Sequence, residues 1–251
     1  MASVKDIMNC IGVDTSEPVS VLFHLFGFFQ ARVPVDPCSA NPAEVSMLNH
    51  LNSLQGKHIH LNIIRVGIDN FTDEEVDKID SAIFTARRLY RGKSLGIGRI
   101  LHFDVDSNEA NGLDDISSED EAEDLTHAFT VHNNAIDVFM VENISASFVG
   151  LSPVDGPCDK DDKDMNGVLG GEVNRDNDRV SRTFAHEIGH YLGLPHNHGD
   201  DDCPDTTNGC NNLMAQTGCA DSCGDGICEA MIITDSQGST MRGHCFVHDG
   251  C

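Results

Sequence analysis

The segment from His186 to His196, HEIGHYLGLPH, constrains the fold of this chain more than any other part of the sequence. If it begins as a helix, His186 and His190 lie one turn apart on the same face, because residues four apart in a helix are neighbours. Gly193 is suited to ending that helix, since glycine adopts the positive φ found at helix C-termini. Pro195 prevents the helix from resuming. The chain is therefore expected to turn back, so that His196 joins the other two histidines.

Three histidines that converge in this way predict a metal centre, and zinc is the metal that this donor set favours. With three protein ligands, zinc keeps a position for water, lowers the pKa of that water toward 7 and polarises a carbonyl oxygen. Glu187 follows the first histidine directly. We predict that it is the general base, which takes the proton of the water and passes it to the leaving amine. The expected reaction is hydrolysis of a peptide bond.

The pattern HExxHxxGxxH over residues 186–196 resembles the extended motif of the metzincins, a family of zinc endopeptidases. Metzincins also carry a tight turn with a methionine beneath the metal, and Asn211–Ala215 resembles that turn. The resemblance implies that Met214 is not a ligand but forms an apolar floor under the imidazoles. Within the family, the cysteine-rich C-terminal part is most similar to the pappalysin-like branch.

The resemblance also implies a fold, of the α/β (α+β) class. A mixed, twisted sheet and two main helices would lie above a cleft, with a small, irregular, disulfide-rich lower subdomain below it. The upper subdomain would end at about residue 193 and the lower one would begin at residue 194. An antiparallel edge strand of the upper subdomain would pair with extended substrate, and we predict that Ser147–Leu151 is this strand.

Hydrophobic periodicity in the sequence is consistent with this layout. It predicts strands at His58–Val66, Ile97–Val105, Ala135–Ile144, Ser147–Leu151 and, less regularly, Asn166–Val173. It predicts helices after a capping box at Thr72 and Glu75, after a second cap at Ser118, and from near Val180. The first of these helices is expected to stop at Gly92.

Composition shifts divide the chain into three parts. Residues 1–55 hold four of the eight prolines and are interpreted as an N-terminal extension or a propeptide-like segment. Residues 56–219 are interpreted as the zinc metalloprotease catalytic domain. Residues 220–251 are interpreted as a cysteine-rich C-terminal part of the lower subdomain.

The sequence contains ten cysteines, and an even, high count favours disulfides and a secreted protein, although no signal peptide is visible. Seven of the ten follow residue 200. Because seven is odd, complete pairing requires at least one bridge from the C-terminal part to the rest of the chain. Cys158 is our candidate for that bridge.

A loop rich in carboxylates precedes the predicted helix. Asp162, Asp164 and Asn166, followed by Gly167, match the opening of a calcium-binding loop, although the rest of the pattern is absent, and Asp159 is a further candidate ligand in the same loop. A calcium site and an ordinary solvated acidic loop are both open interpretations. His58 and His60 share one face of a predicted strand, where a surface metal is conceivable, but ordinary hydrogen-bonded histidines are the favoured interpretation.

The formal net charge of −25 argues against binding to nucleic acid or to an anionic membrane surface. By electrostatic steering alone it favours neutral or basic peptide substrates, and we expect a monomer. A second hypothesis is a disulfide-stapled binding module that retains the zinc site without turnover. Glu187 argues against it, because a purely structural zinc site has no use for a base beside the metal.

Overall fold

The computed structural model describes residues 56–162, 165–197, 212–215 and 231–250. The predicted N-terminal segment 1–55 therefore lies outside the described residues. The elements in chain order are β1 (Lys57–Val66), α1 (Asp73–Arg91), β2 (Leu95–Val105), α2 (Ser107–Ala110), β3 (Asp115–Ile116), α3 (Glu119–Ala128), β4 (Ile136–Val141), β5 (Asn143–Ile144), β6 (Val168–Glu172), α4 (Asn177–Tyr191) and α5 (Asp235–Met241).

Four strands form the main sheet in the order β2-β1-β4-β6, and each neighbouring pair is parallel. The predicted α/β class is confirmed. Antiparallel pairing, within the described residues, is confined to isolated bridges such as Leu151 with Leu169 and His58 with His248. Parallel neighbours need a crossover connection, and the one between β1 and β2 contains helix α1.

The two faces of β1 pack against two different hydrophobic cores. Ile59, Leu61 and Ile63 are buried in a core that also contains apolar residues of α1 and α4. On the opposite face, Ile64 and Val66 belong to a second core, shared with α3. Both faces of this strand are therefore covered, as is usual in a parallel sheet.

Capping residues set the helix boundaries. The Thr72 side chain accepts a hydrogen bond from the Glu75 N–H, and the Glu75 carboxylate accepts one from the Thr72 N–H, so the predicted capping box is confirmed. At α3, Ser118 caps the helix, but Glu121 bonds to Ser117 instead of completing a box. Helix α4 begins at Asn177, earlier than periodicity predicted, because Asp176 accepts a hydrogen bond from the Arg179 N–H.

The predicted strand Ser147–Leu151 was wrong in extent. Only Leu151 is paired, through two backbone hydrogen bonds of 3.0 and 2.9 Å with Leu169. The preceding residues of this segment form no bridge to β6. The predicted strand Ala135–Ile144 is two strands, because β5 leaves the main sheet to pair with β3.

The disulfide Cys158–Cys245 confirms the expected bridge from Cys158 to the C-terminal part. It links residues 87 positions apart and fixes the segment after α5 to the loop that precedes β6. Met241 and Phe246 of this C-terminal segment are buried in the same core as α1 and α4. Among the described residues, the structure has no helix whose length and apolar character would let it span a membrane.

Candidate metal centre

The end of helix α4 reverses the chain. Gly193 has a φ of 95°, which a residue with a side chain rarely adopts. Its N–H donates to the His190 carbonyl at 2.8 Å, and the Leu194 N–H donates to the Gly189 carbonyl at 3.0 Å. These two bonds form a Schellman motif, which satisfies the last helical carbonyls and turns the chain. The turn carries His196 back toward the helix.

Backbone carbonyls orient two of the histidine rings. His186 Nδ1 lies 2.7 Å from the Leu213 oxygen, and His190 Nδ1 lies 2.6 Å from the Leu194 oxygen. A carbonyl oxygen only accepts, so each Nδ1 carries the hydrogen and each Nε2 keeps its lone pair. Such outer contacts determine which nitrogen of a histidine can bind a metal.

The three Nε2 atoms meet at one point. His196 Nε2 lies 3.2 Å from His186 Nε2 and 3.2 Å from His190 Nε2. Zinc at about 2.0–2.1 Å from tetrahedrally arranged nitrogens requires them to be about 3.3 Å apart, so the spacing fits the ion. Among the described residues, these histidines form the one group of three or more His, Cys, Asp or Glu side chains that could hold a metal.

The electrostatic environment keeps these ligands neutral. Burial, followed by repulsion from His190, lowers the pKa of His186 to about 3. Burial also lowers the pKa of His190 to about 4. Unprotonated imidazole is the form that binds a metal, so burial prepares both residues for this role.

Glu187 is on the wall of a cavity of about 570 Å³ that also contains the three histidines. Burial raises the pKa of its carboxyl group to about 8 in the metal-free protein. The segment Ser147–Ser152 forms another part of the cavity wall. At Gly150 this wall approaches closely, because an added Cβ would lie 2.8 Å from Glu187 Cγ and 2.6 Å from Thr183 Cγ2. Gly150 thus lets the wall confine the Glu187 side chain.

Met214 is fully buried below the helix that carries the histidines. An added Cβ at Gly189 would lie 2.8 Å from the Met214 sulfur, so the methionine packs directly on the helix backbone. The Asn212 side chain accepts a hydrogen bond from the Met214 N–H at 2.9 Å, which shapes the turn. The Met214 carbonyl accepts one from the Asn197 N–H at 3.2 Å, which joins the turn to the residue after His196.

Sequence reasoning did not single out three residues that support this arrangement. Arg182 donates through Nη2 to the Asn212 and Ala215 carbonyls at 3.0 and 3.4 Å, tying the methionine turn to α4. Gln237 exchanges two amide hydrogen bonds of 3.0 Å with Asn212. Gly150 is the third. Only Arg182 left a signal in the sequence, because it precedes His186 by one helical turn.

The structure places only part of the candidate calcium loop. Asp159 accepts a hydrogen bond from the Asp161 N–H at 2.9 Å, and Asn166 is buried and donates to the Lys160 carbonyl at 2.6 Å. Asp164 lies outside the described residues. Asp159 and Asp162 do not belong to a metal-binding group among the residues that are described. Calcium therefore stays a prediction.

Solved structures with low sequence identity are similar to the structure of this chain. The structure is similar to archaemetzincin from Methanopyrus kandleri, with 14% identity, a TM-score of 0.47, and 74% of this chain and 94% of that chain covered. It is also similar to metalloproteinase-II from Bacteroides fragilis, with 14% identity, a TM-score of 0.41, and 64% and 47% covered. A search of curated protein sequences finds no significant match.

The family model described as metallo-peptidase family M12 (Reprolysin_5) matches residues 67–239, which is more than half of the chain. This range includes the three converging histidines, Glu187 and Met214. The match confirms the resemblance to metzincin peptidases that the motif indicated, whereas the pappalysin-like branch stays a prediction. This chain belongs to metallopeptidase family M12, and it is a peptide-bond hydrolase.

Proposed function

We propose that this chain is a zinc-dependent endopeptidase in which Glu187 is the general base. The observation that carries the proposal is the convergence of three histidine Nε2 atoms on the wall of a cavity that Glu187 also lines. Membership of a metallopeptidase family supports it. The donor set, three neutral imidazoles, is the one that catalytic zinc uses when a ligand position stays open.

His186, His190 and His196 would hold the ion. Zinc supplies Lewis acidity, which polarises the peptide carbonyl and makes a water molecule more acidic. Glu187 accepts the proton of the attacking water on a carboxylate oxygen and delivers it to the amide nitrogen that leaves. Its burial excludes competing water, and the contact with Gly150 limits the positions that its side chain can adopt.

The cavity wall offers a place for extended substrate. The residues from Ser147 to Gly150 line the cavity and, unlike Leu151, form no bridge to β6. A substrate strand could add to this wall through backbone hydrogen bonds, which would hold the peptide across the histidines. This preserves the predicted role of the segment although it is not a regular strand.

Replacing Glu187 by Gln tests the assignment of the base. The variant keeps the shape of the side chain but cannot accept the proton, so we expect peptide cleavage to fall about 10²–10⁴-fold while zinc stays at one per chain. Cleavage is measured on a peptide mixture by mass spectrometry, with and without a chelator, and zinc by elemental analysis. Glu142→Gln, outside the cavity, is the matched control and should keep full activity.

Two outcomes would contradict the proposal. If Glu187→Gln keeps its cleavage rate, another group is the base. If the wild-type chain holds one zinc ion and cleaves no peptide, the binding module with a retained zinc site explains the protein better.

We further propose that the protein is a secreted monomer. The Cys158–Cys245 disulfide supports an oxidising compartment.

We also propose calcium at the loop with Asp159, Asp162, Asp164 and Asn166. The full-length protein is first freed of metal with a chelator and is then titrated with calcium in a calorimeter. We expect one binding event, which the Asp162→Asn variant should weaken. No heat of binding would contradict the calcium site.

A further inference from the structure

The charge of the cavity differs from the charge of the whole chain. The sequence has 16 Lys and Arg residues against 41 Asp and Glu residues. The charged side chains that line the cavity, histidines aside, are Arg175, Arg179, Arg182 and Glu187. Among the residues that the structure describes, three arginines and one carboxylate thus line the cavity that contains the three histidines.

Two of these arginines and two of the metal ligands follow one stripe of α4. Arg179, Arg182, His186 and His190 are separated by three, four and four residues, so they share a face of the helix. With a rise of 1.5 Å per residue, Arg182 lies about 6 Å and Arg179 about 10 Å from His186 along the axis. An extended peptide advances about 3.3 Å per residue, so on a peptide that runs along α4 these distances correspond to about the second and the third residue from the scissile bond.

The guanidinium groups are oriented by contacts outside the cavity wall. Arg175 is held by Glu172, and the Arg179 Nε lies 3.3 Å from the Asp176 carboxylate. In both pairs the contact uses Nε, and neither acid lines the cavity. A guanidinium has five N–H donors in a fixed fork, so one that lines the cavity can bind a substrate carboxylate in addition to the acid that orients it.

The net charge of the chain does not oppose this interaction. At physiological ionic strength the Debye length is about 8 Å, so carboxylates on distant surfaces are screened from the cavity. Groups within the cavity are screened less than groups on the open surface. Long-range steering by the net charge of the chain favours neutral or basic peptides. Direct contact with the arginines in the cavity favours a substrate carboxylate. This direct contact decides which bound peptide is cleaved.

We propose that Arg175 and Arg179 form a subsite for a substrate carboxylate, so that the enzyme prefers peptides with Asp or Glu about three residues from the scissile bond. This inference rests on the proposed peptidase function and adds the substrate class. Arg182 contributes positive charge to the same face, but its hydrogen bonds to the methionine turn give it a structural role as well.

The test uses pairs of peptides that differ only in Glu against Gln, at each of three positions on either side of one cleavable bond. With the zinc-loaded full-length protein, we expect Glu at one position to raise kcat/KM about five- to tenfold over Gln, the gain typical of a charged hydrogen bond at a partly exposed site. Arg179→Gln and Arg175→Gln should each reduce this ratio. Arg91→Gln, at the end of α1 and outside the cavity, should leave the ratio unchanged.

Equal cleavage of the Glu and Gln peptides at every position would overturn the inference, as would a ratio that survives both arginine substitutions. Cleavage of neither peptide would instead count against the proposed function. In that case, fluorescence anisotropy with labelled peptides still tests the subsite, because the Glu peptide should bind about fivefold more tightly to the wild type than to Arg179→Gln. Equal binding there would reject the subsite independently of catalysis.

Discussion

Two groups of three histidines in this protein have similar ring spacings. In the metal triad, His186, His190 and His196, the ring centroids are 4.5 to 5.2 Å apart. In a second triad, which consists of His58, His60 and His248, they are 4.7 to 5.7 Å apart. Within the described residues, only the metal triad brings one ligand atom from each residue within 4.8 Å of the others. Ring proximity is therefore not sufficient for a metal site.

The difference lies in where the ring nitrogens point. In the second triad, His60 Nδ1 accepts a hydrogen bond from the Arg99 N–H at 3.1 Å, and His248 Nε2 lies 3.0 Å from the Asn134 carbonyl. These two ring nitrogens, His60 Nδ1 and His248 Nε2, are therefore each directed toward a different backbone group. In the metal triad, backbone carbonyls hold the Nδ1 atoms and direct the Nε2 atoms inward. The backbone contacts of the rings thus separate a metal centre from a packing cluster.

The second triad has a structural role. His58 and His60 are buried at the start of β1, and an added Cβ at Gly98 would lie 2.9 Å from His60 Nδ1. His58 also exchanges backbone hydrogen bonds of 3.0 and 2.8 Å with His248. The triad thus attaches the C-terminal segment to the sheet, and the rings of His58 and His60 both have backbone hydrogen-bond partners.

The sharpest test of the comparison replaces one histidine in each triad by asparagine. His190→Asn removes a metal ligand, so we expect loss of bound zinc and a fall in peptide cleavage of more than about 100-fold, since loss of an outer contact alone costs 10- to 100-fold. His60→Asn keeps an acceptor for the Arg99 N–H and should retain one zinc ion per chain. Elemental analysis and peptide cleavage give the two readouts. Loss of zinc in His60→Asn would contradict the distinction.

Removing the disulfide should affect the attachment of the second triad more than the metal centre. The double variant Cys158→Ser with Cys245→Ser opens a loop of 87 residues, and loop-closure entropy predicts a loss of about 3–5 kcal/mol in the free energy of unfolding. Zinc content at 25 °C should be unchanged, because no metal ligand is displaced. Urea unfolding and elemental analysis check these outcomes, and zinc loss from the folded variant would show that the two regions are coupled.

Acid should destabilise the protein partly through the second triad. Burial, followed by repulsion from His58 and His248, lowers the pKa of His60 to about 3. The unfolded chain therefore binds a proton near pH 6.5 that the folded chain takes up only near pH 3, so stability falls as the pH drops through this window. The contribution is at most about 1.4 kcal/mol per pH unit.

This dependence is measured by urea unfolding of the metal-free protein from pH 7 to pH 4. His60→Asn cannot titrate and should show a shallower fall than the wild type. Identical slopes in the two proteins would mean that His60 does not contribute to the acid sensitivity.

Local patterns in the sequence predicted the elements that depend on neighbours along the chain. The capping box at Thr72, the cap at Ser118 and the order of the main strands and helices follow from such patterns. Ser147–Leu151 was misjudged, because its alternation resembles a strand while its pairing depends on which residues of β6 it meets. The division of β4 from β5 likewise depends on a partner, β3, that is distant in sequence.

The sequence by itself determined the candidate metal ligands and the common face of the first two, because HExxHxxGxxH contains both the helical spacing and the residues that end the helix. The odd number of cysteines after residue 200 also indicated a disulfide from the C-terminal part to the rest of the chain. Only the tertiary structure decided which backbone groups orient the ring nitrogens of the two triads, how closely Gly150 approaches Glu187, and that three arginines line the cavity. Those properties arise from backbone groups and side chains that are far apart in sequence, and a contact between them exists only after the sheet and helices have packed.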